Sequence, residues 1–149
     1  MKDFILVSAL FSLVLFTSCG KVQPPQFQDI ENFKVQSLGL KETVIGLDVA
    51  FYNPNNYTIH VKEAATDIYI DSVYAGKFTQ DKEVGANGKS RFSIPLTGTI
   101  PLSTALKLNL NKLVNEDILF KANGSVKIGR AGIFITKPFD YKGTHRIKQ

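Results

Sequence analysis

Few side chains in this 149-residue chain could do chemistry, and most of them stand apart. Cys19 is the only cysteine, so no disulfide can form within the chain and its thiol is left for another reaction. As a thiolate, sulfur attacks an electrophilic lipid donor far better than a hydroxyl does. The two histidines, His60 and His145, have no cysteine, histidine or carboxylate at metal-ligand spacing, so no metal site is expected. His60 takes an alternating position in Thr58-Ile59-His60-Val61-Lys62, and His145 follows Gly143-Thr144. Asp67 and Asp71, four residues apart, could work as an acid and a base across a gap. On one strand face they read more simply as solvated charge. Gly124 and Gly129 bracket four residues without the Lys-Ser/Thr that a phosphate loop needs, and no Gly-x-Ser-x-Gly elbow occurs. The expectation is a protein with no catalytic residues and no cofactor.

The surroundings of Cys19 explain its isolation. Met1-Lys2-Asp3 precedes an apolar run from Phe4 to Phe16, FILVSALFSLVLF. That run of about 13 residues would be roughly 20 Å long as a helix. Crossing a bilayer takes about 20 residues, so the segment fits a secretory signal better than a membrane span. Phe16-Thr17-Ser18-Cys19 resembles the bacterial lipobox, with Phe16 where that pattern usually has Leu. The resemblance implies cleavage before Cys19, a diacylglyceryl group on its sulfur and an acylated new N-terminus. Two or three acyl chains give stable membrane anchoring where one is marginal. Residues 1–18 are then the signal peptide, 19–26 the lipid anchor and tether, and 27–149 the folded domain. Pro24-Pro25 favours a semi-rigid extended tether. Gly20-Lys21 places no aspartate after the cysteine, and no acidic run follows. This favours the outer membrane, facing the periplasm.

Composition limits the partners. The chain carries net charge +5 from 18 Lys and Arg against 13 Asp and Glu. The cations are scattered, with no cluster, and an envelope address removes nucleic acid as a partner. The expected partners are the membrane, through acyl chains on Cys19, and an envelope protein, lipid or glycan.

The elements that must position these groups are mostly strands. Ile45, Leu47, Val49 and Phe51 alternate with Gly46, Asp48, Ala50 and Tyr52, the period of a half-buried strand. Ile68 and Ile70 alternate with Asp67 and Asp71. So do Phe92, Ile94, Leu96 and Ile100 with their polar neighbours, and then Ile118, Phe120, Ala122, Val126 and Ile128. Ile133, Ile135, Phe139 and Tyr141 continue after the turn Gly129-Arg130-Ala131-Gly132. Turn signals also fall at Asn53-Pro54-Asn55-Asn56 and Gly85-Ala86-Asn87-Gly88. The pattern predicts a mainly β protein, an antiparallel β-sandwich of the immunoglobulin/fibronectin kind. Leu102, Ala105, Leu106, Leu110, Leu113 and Val114 recur at helical steps, so one amphipathic helix is expected over 102–115, covering an end or face of the sandwich.

Asn53-Pro54-Asn55 has its own physics. Pro54 cannot donate to a sheet ladder, so pairing on that side stops there. Asparagine side chains bond nearby backbone and mimic turns. The motif should end one strand and redirect the chain, with ligand binding as the lesser role. The stretch Leu47-Asp48-Val49-Ala50-Phe51-Tyr52-Asn53-Pro54-Asn55-Asn56-Tyr57-Thr58-Ile59 resembles the type 2 late embryogenesis abundant family, which contains the water stress and hypersensitive response domain. Asp67-Ile68-Tyr69-Ile70-Asp71 with a small turn at Ala75-Gly76 follows in the same order, and then Phe92-Ser93-Ile94-Pro95-Leu96. The resemblance extends over about residues 29–145. It implies a folded, non-catalytic protein that protects membranes or proteins under water or osmotic stress. A module that binds a lipid, glycan or protein partner between or across its sheets is the alternative.

Overall fold

The alternating stretches become strands because one face of each can be buried while the other meets water. A computed structural model describes residues 22–108, 112 and 115–147. It contains β1 (Gln26–Leu38), β2 (Glu42–Tyr52), β3 (Ile59–Ile70), β4 (Val73–Gln80), β5 (Val84–Ala86), β6 (Arg91–Pro101), α1 (Leu102–Lys107), β7 (Ile118–Arg130) and β8 (Ile133–His145). The strand order is β1-β2-β6-β4-β3-β7-β8, with β5 also paired to β3, and every pairing is antiparallel.

This hydrogen-bonded sheet folds on itself into two layers. β1, β2 and β6 form one, and β3, β7 and β8 the other. Ile45, Leu47, Ile94 and Ile100 from the first share one core with Val61, Ile68, Phe120 and Ile128 from the second. Burying each such side chain contributes about 1.5–3 kcal/mol, which makes the inward faces the main source of stability. In β6 the alternation holds along the whole strand, with Phe92, Ile94, Leu96, Gly98 and Ile100 buried. β4 is the bridge between layers. Its Phe78 lies opposite Thr66 of β3 and Gly98 of β6. A Cβ at Gly98 would stand 2.7 Å from the Phe78 ring, so the bare α-carbon is what lets the ring cross there.

The turns refine the expectations. Ala131 and Gly132 close the β7–β8 hairpin with φ of 51° and 83°, as a two-residue turn with both centres left-handed requires. The small turn expected at Ala75-Gly76 lies instead at Asp71-Ser72, with φ of 47° and 70°. Ala75 and Gly76 are inside β4. Aspartate tolerates the left-handed region by bonding locally, so this turn needs no glycine.

The helix begins where expected and is shorter in its first piece. Pro101 caps it, and the Leu102 N–H donates to the Lys41 carbonyl at 2.9 Å, fixing it beside the β1–β2 turn. Leu108 is back in extended geometry, while Lys112 and Asn115 are again helical. Leu110, Leu113 and Val114 lie outside the described residues.

The domain also begins before residue 27. β1 starts at Gln26, and Gln23 is already bonded to Asn55, so the last part of the expected tether is docked on the domain.

Candidate functional site

Small inward residues leave space between the layers. Ala64 of β3 and Ala122 of β7 face Val49, Phe51, Ile94 and Leu96 of the opposite layer around an apolar cavity of about 270 Å³. Larger side chains at the two alanines would fill it. Of its lining residues, Pro24, Lys137, Pro138 and Asp140 are exposed, which places the mouth between the N-terminal segment and that part of β8. Lys137 and Asp140 are the charged residues of its lining. A space with such walls favours apolar guests, because a polar guest would lose its hydrogen bonds there.

β1 and β8 are the two ends of the strand order, so no ladder joins them. Aromatic rings close the seam instead. Phe27 stacks on Tyr141 at 4.5 Å and lies 4.9 Å from His145, and it meets Phe51 edge-on at 6.1 Å. Such pairs contribute about 0.5–1.5 kcal/mol beyond area burial. The Tyr141 hydroxyl and His145 Nε2 are hydrogen-bonded, and burial pushes the Tyr141 phenol above its ordinary pKa. A seam of side chains can part without breaking backbone hydrogen bonds, which a paired edge cannot do.

Beside this mouth sits the Asn53-Pro54-Asn55 motif, buried at the end of β2. Asn53 is fully buried. Its Nδ2 donates to the carbonyls of Tyr57 at 2.9 Å, Ala86 at 3.0 Å and Asn87 at 3.0 Å. Its Oδ1 accepts from the Asn55 N–H at 3.0 Å and Asn55 Nδ2 at 2.9 Å. The Asn53 N–H itself donates to the Ser90 carbonyl. Asn55 holds the N-terminal segment: Gln23 N–H donates to its Oδ1 at 2.9 Å, and its Nδ2 donates to the Gln23 carbonyl at 2.8 Å. The Pro54 carbonyl accepts from Lys89 Nζ. The motif thus ties together the chain entrance, the end of β2 and the β5–β6 connection. Its amide groups are taken up within the chain.

The remaining candidate groups lie apart. Asp67 accepts from the Tyr74 hydroxyl at 2.9 Å. That bond to a carboxylate holds the Tyr74 phenol above its usual pKa. Asp71 accepts from Lys112 Nζ at 2.8 Å and from the Leu119 N–H at 2.9 Å. These two bonds hold its carboxyl below the ordinary range, and the same contact raises Lys112. His60 Nδ1 faces Glu83 at 3.1 Å, far from the His145 seam in the sequence and in its partners. Among the described residues, no three His, Cys, Asp or Glu side chains gather to hold a metal ion. Cys19 lies outside the described residues. Sequence reasoning did not single out the cavity or its seam. The signals were there in Pro24-Pro25 and in alanines at inward strand positions, but their meaning depends on how the layers pack.

No family model matches the chain, and no curated protein matches it. Solved structures do resemble it. One is a crystal structure of a protein from Archaeoglobus fulgidus, with TM-score 0.51 and 11% identity, covering 81% of this chain and 97% of that one. Another is the solution structure of AT1g01470 from Arabidopsis thaliana, with TM-score 0.48 and 16% identity, covering 89% and 90%. A third is the solution structure of At2g46140.1, provisionally described as a late embryogenesis abundant (LEA) protein, with TM-score 0.48 and 12% identity, covering 96% and 83%. At 11% identity, the Archaeoglobus likeness is one of fold.

Proposed function

We propose that this chain is a non-catalytic envelope protein of the type 2 late embryogenesis abundant family, held to a membrane by acyl chains on Cys19. Its role is to protect membranes or proteins during drying or osmotic stress. The observation that carries the family reading is the Asn53-Pro54-Asn55 stretch, whose resemblance extends into the flanking strands. A chain with this apolar core acts as a folded surface, unlike disordered protectants, which cannot bury enough apolar area to fold. Deleting the gene should lower survival of drying and hyperosmotic shock, and pure protein should preserve a test enzyme through drying. Unchanged survival together with an unprotected enzyme would sink the reading.

A second reading rests on the cavity. Walls of this kind suit a module that binds an apolar ligand such as a lipid, and they argue against a glycan there. Native mass spectrometry of the protein taken gently from membranes should then show a bound apolar molecule; a bare mass throughout would count against it.

A further inference from the structure

We infer that the cavity between the layers receives one acyl chain of the protein's own lipidated N-terminus. The inference rests on the reading that Cys19 is acylated, and it names the ligand of the site described above.

Three observations point this way. The first is where the chain leaves the domain. Gln23 is held by two hydrogen bonds to Asn55, and the next residues, Pro24 and Pro25, line the cavity mouth. The exit of the N-terminal segment is therefore fixed beside the opening.

The second is reach. Cys19 is four residues before Gln23, so its α-carbon lies within about 14 Å of that fixed point, at 3.3–3.6 Å per extended residue. A chain that fills one leaflet of a 30 Å hydrocarbon core is itself about 15 Å long. An acyl group on Cys19 can thus return to the mouth without leaving any residue stretched. The short link also makes the encounter intramolecular, with an effective concentration on the order of millimolar. A free lipid has no such advantage.

The third is size. A cavity of about 270 Å³ has the volume of about nine water-sized groups at 30 Å³ each, and a methylene is of similar bulk. It takes much of one chain and is too small for both chains of a phospholipid. Lys137 and Asp140 in the lining offer polar contacts where an ester linkage would meet water.

One consequence follows for anchoring. A triacylated protein with one chain in the cavity keeps two in the bilayer, which still anchors firmly. A diacylated one keeps a single chain and binds only marginally. Occupancy of the cavity would then set the grip on the membrane.

The test uses the full protein made by cells fed a diazirine-bearing palmitic acid, purified from membranes after illumination. Peptide mapping should find the peptide with Cys19 joined through its acyl chain to peptides carrying Phe27, Ile94 or Phe120. Ala64→Leu combined with Ala122→Leu should cut that product about tenfold, the ratio that 1.4 kcal/mol produces, while Cys19 remains acylated. If the filled variant does not fold, the map of the unaltered protein decides alone. Acylated Cys19 cross-linked only to bilayer lipid would overturn the inference and leave the anchor standing. Cavity peptides joined to phospholipid or free fatty acid would overturn it in favour of an outside ligand. An unacylated Cys19 would remove the anchor reading and this inference with it.

Discussion

Exchanging the Asn53 amide for a carboxylate would turn one well-bonded group into a conflict. Its Nδ2 faces three backbone carbonyls, while its Oδ1 accepts from Asn55. Asn53→Asp keeps the shape but points oxygen at oxygen in a fully buried site. Asn53→Ala leaves the Tyr57 and Ala86 carbonyls and the Asn55 N–H without its amide, while the Asn87 carbonyl keeps its bond from Ser90 Oγ. Each buried group left unpaired costs about 1–3 kcal/mol. Both variants should lower stability by about 3 kcal/mol or more, read as a shift of the urea midpoint at neutral pH, with the aspartate no better than the alanine. A second residue sets a pH dependence. The Lys112 and Leu119 bonds lower the Asp71 pKa in the folded state. A carboxyl lowered on folding adds stability in full above its unfolded value of about 3.9, and loses it as pH falls through the folded value. Asp71→Asn keeps a residue suited to φ of 47° but removes the charge. Its melting temperature should fall below that of the unaltered protein at pH 7, and the gap should close in strong acid. The pair is more than a third exposed on both sides, so the gap should be small. A constant gap across the acid range would show that the charge is not its source.

At the scale of elements, the sequence was most legible where alternation runs unbroken. β2, β6 and β7 follow the predicted stretches because each has one face to bury, whereas β8 forms where expected but leaves Ile133 and Ile135 exposed. β1 was harder to see. Its ladder shifts register between Glu31 and Lys34, and Asn32 has φ of 53°, so the buried Ile30 and Phe33 fall three residues apart rather than two. A bulge hides a strand from a period-two reading. The Asp71-Ser72 turn was missed for a related reason, since it supplies two left-handed residues without glycine. The Asn53-Pro54-Asn55 turn could be placed from proline's missing donor, but the three segments it joins could not. The same limit hid the cavity, which exists only when Ala64 and Ala122 meet the opposite layer. The bridge between layers makes a prediction of its own. Gly98→Val would drive a side chain into the Phe78 ring, which is 2% exposed. Overpacking of this kind costs about 1–3 kcal/mol. Gly98→Val should destabilise the domain by that amount in chemical unfolding, and Gly98→Val with Phe78→Leu should recover part of it. Failure of the double variant to recover anything would place the strain elsewhere.

For the whole molecule, a proposed lipid anchor at Cys19 precedes a folded β-sandwich. The N-terminal segment is pinned by Asn55, the mouth of an apolar cavity opens beside it, and aromatic rings rather than hydrogen bonds close that side. Motif and cavity therefore lie together where the N-terminal segment enters the domain, on the side of the proposed anchor. The proposed anchoring turns on the chemistry of a single sulfur. Intact mass measurement of the protein recovered from membranes tests it most directly, with a Cys19→Ala variant beside it. The expected result is a chain beginning at Cys19 that carries at least a diacylglyceryl mass, and release of the variant from the membrane fraction. A mature chain with a free, alkylatable Cys19 thiol, or one still carrying residues 1–18, would contradict it.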